Sequence, residues 1–354
     1  MRILIDIGHP AHVHLFKNFA WEMQKKGHKV FFTCREKEFE IELLDHYGFD
    51  YKSFGKKYTT SLGKLIGLVE FDIKEFIQSL KFKPDIFFSH GSMYAAHTAW
   101  LLRKPHISME DTGNREQIMF YLPFTDAVLT PDVLHTDLGP KQIRYSGYHE
   151  LAYLHPNRYS NNKRNRSINS GIEKDYALIR FVSWNATHDR WQGGFTDSQK
   201  SEMINYLSSK MKLMISSEGS LPENYRIYKY KMSPESMHDV LSGAKLFIGE
   251  GATMASEAGV LGVPSIYVNS QTGCNNKDQE KYGLVYNFRN GVNVLRKIDE
   301  ILTIHNIKEE WQERHRKMLA DKIDVTAFMV WFIENYPESF EVMKNNPDYG
   351  NNFK

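Results

Sequence analysis

The chain has 354 residues, 45 Lys and Arg against 43 Asp and Glu, a formal net charge of +2, and 41% hydrophobic and 25% charged residues. This balance excludes a dedicated nucleic-acid binder, which carries a basic excess, and the apolar content excludes a disordered or fibrous chain. Cys34 and Cys274 lie too far apart in sequence for a disulfide framework or a Cys-based zinc site.

The first eight residues turn polar too soon for a signal peptide, and no run of about 18 apolar residues predicts a membrane span. A cytoplasmic protein is expected. Residues 3–7 predict a buried strand bounded by Gly8. Helical spacing of Leu15, Phe16, Phe19, Ala20 and Met23 predicts a helix over 15–26, closed by Gly27. Strands follow at 30–33, 85–89, 106–109 and 127–130, with helices at 36–47 and 94–102 between them. Residues 52–58 mix basic and aromatic side chains, and 62–80 set apolar residues among lysines. An ordinary loop and helix account for that stretch, with peripheral contact at the inner face of a membrane as the alternative.

The alternation breaks at a polar, basic stretch and then restarts. Strands are expected at 176–182, 213–216, 245–248 and 265–268, and helices at 197–210, 234–242 and 253–261. A helical tail over 298–343 carries Phe328, Met329, Trp331, Phe332 and Phe340, which are expected to pack across onto the rest. The resulting organisation is a domain over 1–155, a linker over 156–172, a domain over 173–322 and a returning tail over 323–354. At about 100–200 residues per domain, two α/β domains suit the length.

In open α/β sheets ligands bind beyond the carboxyl ends of the strands. That rule selects Gly8–His12, then His90 and Ser92, then Glu110 and Asp111, then Trp184, and finally Glu250 onward. The sharpest segment follows the strand at 245–248: Gly251, Ala252, Thr253 and Met254 open a helix, where free amides and the dipole favour a phosphate. Glu257, early on that helix, is placed to accept from a ribose diol. A plain turn capped by Thr253 explains the same spacing.

Of 15 histidines, 11 lie in the first 155 residues, with His9, His12 and His14 crowded together. No single helix face or strand face brings these three onto one ion, so no metal is expected. His12 before the first helix is a candidate general base, and His9 and His90 are candidate substrate contacts. Ser92 either contacts substrate or caps a helix. Glu110 and Asp111 pair two carboxylates for acid–base work, unless Asp111 only caps a helix and meets Arg115. Arg180, in an otherwise apolar strand, calls for an anionic partner such as a diphosphate.

Two α/β halves, the Gly/small loop, Glu257 and the Gly262–Val263–Pro264 exit resemble the GT-B fold. That architecture serves nucleotide-sugar glycosyltransferases and UDP-N-acetylglucosamine 2-epimerase. Residues 8–27, with His12–Val13, are similar to the first loop and helix of the cell-wall N-acetylglucosaminyltransferase MurG. Residues 9–14 and 147–152, His9 to His14 and Gly147 to Ala152, resemble an uncharacterised GT-B-like prokaryotic family, and that likeness covers nearly the whole chain.

The resemblance implies two Rossmann-like parallel-sheet domains facing a cleft, with the tail crossing back. It places the diphosphate at Gly251–Met254, the ribose at Glu257 and the nucleobase by Tyr230 and Met232. The expected activity is transfer from a nucleotide-diphosphate sugar to a saccharide or lipid-linked acceptor, with no cofactor and no metal. The proton of the acceptor would go to His12 or Glu110. A 2-epimerase and a non-catalytic sugar-nucleotide binder are the alternatives. MurG's multi-glycine first loop is replaced by His9–Pro10–Ala11, so the acceptor contacts should differ.

Overall fold

The computed structural model describes residues 1–56, 58, 60–159, 175–182, 194–231 and 233–354. The chain divides into two compact units, one formed by Met1–Arg158 with Lys322–Lys354 and the other by Tyr159–Asp321.

Unit 1 alternates β1 (Arg2–Ile7), α1 (Pro10–Lys25), β2 (Lys29–Glu36), α2 (Glu40–Tyr47), β3 (Tyr51–Lys56), α3 (Ser61–Phe82), β4 (Ile86–His90), α4 (Met93–Leu102), β5 (His106–Met109), α5 (Arg115–Tyr121), β6 (Ala127–Pro131), β7 (Gln142–Tyr145) and α6 (Leu151–Leu154). All strand pairs are parallel, in the order β3-β2-β1-β4-β5-β6-β7. The order reverses between β1 and β4, and the crevice beyond their carboxyl ends is the ligand position of such a sheet. Helices cover the sheet, so β1 and β4 read as nearly unbroken buried runs. Phe16 and Phe19 of α1 set their edges to Phe88 of β4 at 4.8 and 5.0 Å between centroids, contacts of about 0.5–1.5 kcal/mol each beyond burial.

Helix α1 starts five residues before its expected first turn. Pro10 is tolerated in the first turn, where its missing N–H is no loss, and His9 caps the end by accepting from Ala11 N at 3.2 Å. His12 and His14 therefore lie on the helix and not in a loop. Strands β3 and β7 were not anticipated. β3 is an edge strand with Lys and Ser among its aromatics, the composition read as loop or membrane contact.

Unit 2 comprises β8 (Tyr176–Phe181), α7 (Asp197–Ser208), β9 (Lys212–Ser217), α8 (Met237–Gly243), β10 (Leu246–Gly249), α9 (Ala252–Val260), β11 (Ser265–Val268), α10 (Cys274–Lys281), β12 (Val285–Phe288), α11 (Val294–Leu302) and α12 (Ile307–Asp321). Its parallel sheet runs β12-β11-β10-β8-β9, with the switch point between β8 and β10. Helix α10 is polar throughout yet buries Asn275, Asn276, Asp278 and Gln279. Gln279 Nε2 donates to Ser256 Oγ at 2.7 Å and Asn276 Nδ2 to the Ala252 carbonyl at 3.2 Å. Hydrogen bonds to α9, not apolar area, dock this helix, so hydrophobic periodicity gives no sign of it.

The chain returns to unit 1 with α13 (Val325–Glu334) and α14 (Glu338–Asn345). Phe328, Met329 and Phe332 are buried there, whereas Trp331 and Phe340 are half-buried. Among the described residues no helix is long and apolar enough to cross a membrane.

Candidate functional site

Beyond the carboxyl ends of β1 and β4 the His12 and His90 rings stack at 4.4 Å between centroids. His12 Nδ1 accepts from Gly8 N at 3.3 Å. The neutral ring then carries its proton on Nε2, so His12 presents a donor and not the lone pair of a general base. His9, the cap of α1, stands 5.9 Å from His12 between centroids and 4.0 Å from Glu38. His14 turns away to Tyr47 and Tyr153.

His90 closes β4, and the turn after it depends on Gly91 at φ +58, where a Cβ would meet Gln117 Nε2 at 2.7 Å. This turn aims His90 Nε2 at Asp111 Oδ1, 3.1 Å away. His149, beyond β7, meets the other carboxylate oxygen through Nδ1 at 3.2 Å. His90, Asp111 and His149 thus bring one ligand atom each within 4.8 Å of one another, the group compact enough for a metal ion among the described residues. Burial opposes charge on Asp111, but the two imidazoles outweigh it and hold the carboxyl well below its usual range. Burial likewise opposes charge on His90, and Asp111 outweighs it, so the ring titrates above the ordinary histidine range. His90 and His149 are 9% and 6% exposed. His90 Nδ1 and His149 Nε2 have no hydrogen-bond partner among the described residues.

Two residues expected here do other work. Glu110 is fully buried. Its Oε1 accepts from Thr112 N, Thr112 Oγ1 and Gly113 N at 2.6–3.0 Å, and its Oε2 accepts from Tyr121 OH at 2.8 Å. A carboxylate so engaged holds a turn and does not take a proton from an acceptor. Ser92 caps α4 by accepting from Ala95 N, and its hydroxyl donates to Asp6. Asp6 itself is gripped by Arg35 through two bonds of 2.7 and 2.8 Å. Ser92 therefore belongs to a buried ion-pair network. Asp111 is not a helix cap either: Asn114 caps α5.

In unit 2, α9 begins directly beyond β10, at the switch point with β8. Its N-cap is Gly251, and no side chain caps it. By contrast Thr196 and Gln199 build a full capping box on α7. Among the described residues a Cβ on Gly251 would meet nothing within 4 Å, which leaves room beside the first turn of α9. Thr253 lies within the helix and is not its cap. Glu257 is 2% exposed, and its Oε1 faces His238 Nε2 at 3.1 Å. Through this contact it braces α9 against α8. Arg180 finds its anionic partner within the chain: Nη2 donates to Glu218 at 2.9 Å and Nη1 to Ser216 at 2.6 Å. Tyr230 is half-buried after β9, its N–H on the Ile215 carbonyl. Trp184 and Met232 lie outside the described residues.

His149 is the member of this cluster that the strand-end rule did not select. It follows β7, a strand too short and polar to be seen by pattern, and Gly147–Ala152 entered only through family likeness.

Over residues 1–338 the sequence matches the family described as "Protein of unknown function (DUF354)". No curated protein matches. Among solved structures the fold is similar to UDP-GlcNAc 2-epimerase from Neisseria meningitidis bound to UDP-GlcNAc, with TM-score 0.63, 14% identity, and 88% of this chain and 94% of that one covered. The Methanocaldococcus jannaschii UDP-GlcNAc 2-epimerase gives 0.62, 13%, 88% and 98%. A glycosyltransferase of Streptomyces sp. SF2575 gives 0.57, 13%, 95% and 100%. These likenesses show the fold, two Rossmann-like parallel-sheet domains of GT-B type.

Proposed function

The chain belongs to the DUF354 family, and from that footing we propose that it is a glycosyltransferase using a nucleotide-diphosphate sugar, UDP-linked. It would extend a saccharide or lipid-linked acceptor in polysaccharide or glycoconjugate biosynthesis, at the inner face of a membrane. The observation that carries the reading is the uncapped, open N-terminus of α9 at the switch point of the second sheet. Amides without a side-chain cap, at the positive end of a helix dipole, suit a diphosphate. The same dipoles would stabilise the negative charge that develops on the leaving diphosphate. Unit 1 would take the acceptor at its own switch point, with His12 donating from Nε2.

Calorimetric titration with UDP and UDP-sugars tests the reading, followed by turnover with saccharide and lipid-linked acceptors. Binding of UDP-sugars with acceptor-dependent release of UDP is expected, and absence of any nucleotide-diphosphate binding sinks the proposal. A 2-epimerase is the second reading. The strand-end cluster of proton-carrying groups in unit 1 and the likeness to solved 2-epimerases favour it. Deuterium entering the sugar at C2 in heavy water, with no acceptor present, would decide for it.

A further inference from the structure

We propose that His90, Asp111 and His149 form a binding site for one divalent first-row transition cation, of the zinc, cobalt or manganese class. The three residues come from the carboxyl ends of β4, β5 and β7, which fold far more than sequence proximity brings together. Each ring turns one nitrogen toward the same carboxylate, at 3.1 and 3.2 Å. An ion with ligands at about 2.1 Å holds neighbouring ligand atoms about 3.0–3.4 Å apart; each ring nitrogen already stands at that distance from one carboxylate oxygen, and the three ligand atoms, all within 4.8 Å of one another, need only contract about the ion.

A hydrogen-bonded dyad explains less. A general base needs one imidazole and one carboxylate to orient it. His149 is surplus to that pair, and its side chain is as buried as that of His90, 8% exposed in each. A closed structural network would also satisfy its outer nitrogens, whereas the buried His90 Nδ1 and His149 Nε2 have no hydrogen-bond partner among the described residues. Two imidazoles and one carboxylate select zinc, cobalt or manganese over magnesium or calcium, which prefer all-oxygen shells. Three protein ligands leave at least one coordination position for an oxygen of substrate or water.

The residues of this site belong to unit 1, whereas α9, proposed above to take the diphosphate, belongs to unit 2. The site's role rests on the transferase reading: an acceptor hydroxyl placed on the cation would lose its proton near neutral pH. That step is otherwise unassigned, since Glu110 is engaged and His12 presents an N–H.

The test is titration of chelator-treated full-length protein with Co2+ alone, read by visible d–d absorption. One equivalent is expected to bind, displaced by Zn2+. His149→Ala and His90→Ala should each weaken binding at least tenfold, with His149→Gln as the milder variant if the alanine forms do not fold. His97→Gln, which removes another His–Asp pair of the same unit, should leave the titration unchanged. No saturable Co2+ absorption in the wild type, or an unchanged titration in the folded His90 and His149 variants, overturns the site. UDP binding is measured in parallel. Cobalt binding without UDP binding sinks the nucleotide reading alone, and the reverse sinks the cation alone.

Discussion

Within β5 the His106 ring is fully buried between two hydroxyls. Thr125 Oγ1 donates to the Tyr121 carbonyl at 2.9 Å, so it receives the His106 Nδ1 proton at 2.8 Å. Ser89 Oγ then donates to His106 Nε2 at 2.9 Å. This arrangement admits only the neutral ring, because a second proton would set donor against donor. Burial, with a smaller contribution from His97, lowers the ring to about 3. The folded protein therefore stays unprotonated at His106 while the unfolded chain takes up a proton below about pH 6.5. Stability from this residue is present above pH 6.5 and is lost as the pH falls toward 3, with a limit of about 1.4 kcal/mol per pH unit. Urea midpoints of the wild type should fall more steeply between pH 7 and 5 than those of His106→Asn. Parallel curves would contradict the assignment. The contrast with His90 is instructive: both rings are buried, and the neighbour, hydroxyl or carboxylate, sets opposite directions.

At the scale of elements, α9 offers the cleanest separation of binding from folding. Gly251 has φ −99 and open space where a Cβ would stand. Gly251→Val should fold normally, with a thermal midpoint near that of the wild type, yet lose UDP binding at least tenfold because the branched side chain blocks the amides. Unaltered UDP binding would move the phosphate elsewhere. Helix α3 carries a different message. Ile66, Val69, Ile73, Ile77 and Leu80 are each about half exposed, at the 3- and 4-residue spacing of one helix face. The three acids on this helix are engaged, Glu70 by Lys74, Asp72 by His97 and the buried Glu75 by Thr33, while Lys81, Lys83, Arg103 and Lys104 remain exposed at the ends of α3 and α4. Burying five half-exposed side chains gains on the order of 5 kcal/mol, enough for reversible docking on an anionic bilayer. Val69→Glu with Ile73→Glu should abolish co-sedimentation with anionic vesicles while changing stability little, and equal sedimentation of wild type and variant would sink the contact. What the sequence made legible follows from the same physics. Buried parallel strands such as β1 and β4 announce themselves as apolar runs, and the strand-end rule finds His90, Asp111 and Gly251. Polar α10 and edge strand β3 give no such signal, and the partners of Glu110, Ser92, Arg180 and Glu257 are set by tertiary contacts that no local pattern encodes.

At the scale of the whole molecule, unit 1 is completed only by the last 33 residues, and their docking bears directly on the candidate site. Ile323 N donates to the Ser146 carbonyl at 2.8 Å, and a Cβ on Gly147 would meet Val325 Cγ2 at 2.9 Å. Thr326 Oγ1 and Asn18 Nδ2 both donate to the Ala152 carbonyl, at 2.6 and 2.9 Å. The returning chain therefore clamps both sides of the loop that presents His149. Asp324 is the centre of this clamp: it caps α13 by accepting from Ala327 N, and it accepts from Arg158 Nε at 2.9 Å. Its side chain is 4% exposed and that of Arg158 14%, so the pair is removed from water and loss of one partner leaves a poorly solvated charge. Glu22 also faces Arg158 and softens that loss. Asp324→Ala should cost about 3 kcal/mol in urea unfolding. The distinguishing readout is local: amide hydrogen exchange over residues 142–155 should quicken, and Co2+ affinity should fall because His149 is no longer held, while UDP binding in unit 2 is retained. Slow exchange in that segment with unchanged Co2+ affinity would show that the returning helices stabilise unit 1 without positioning its site.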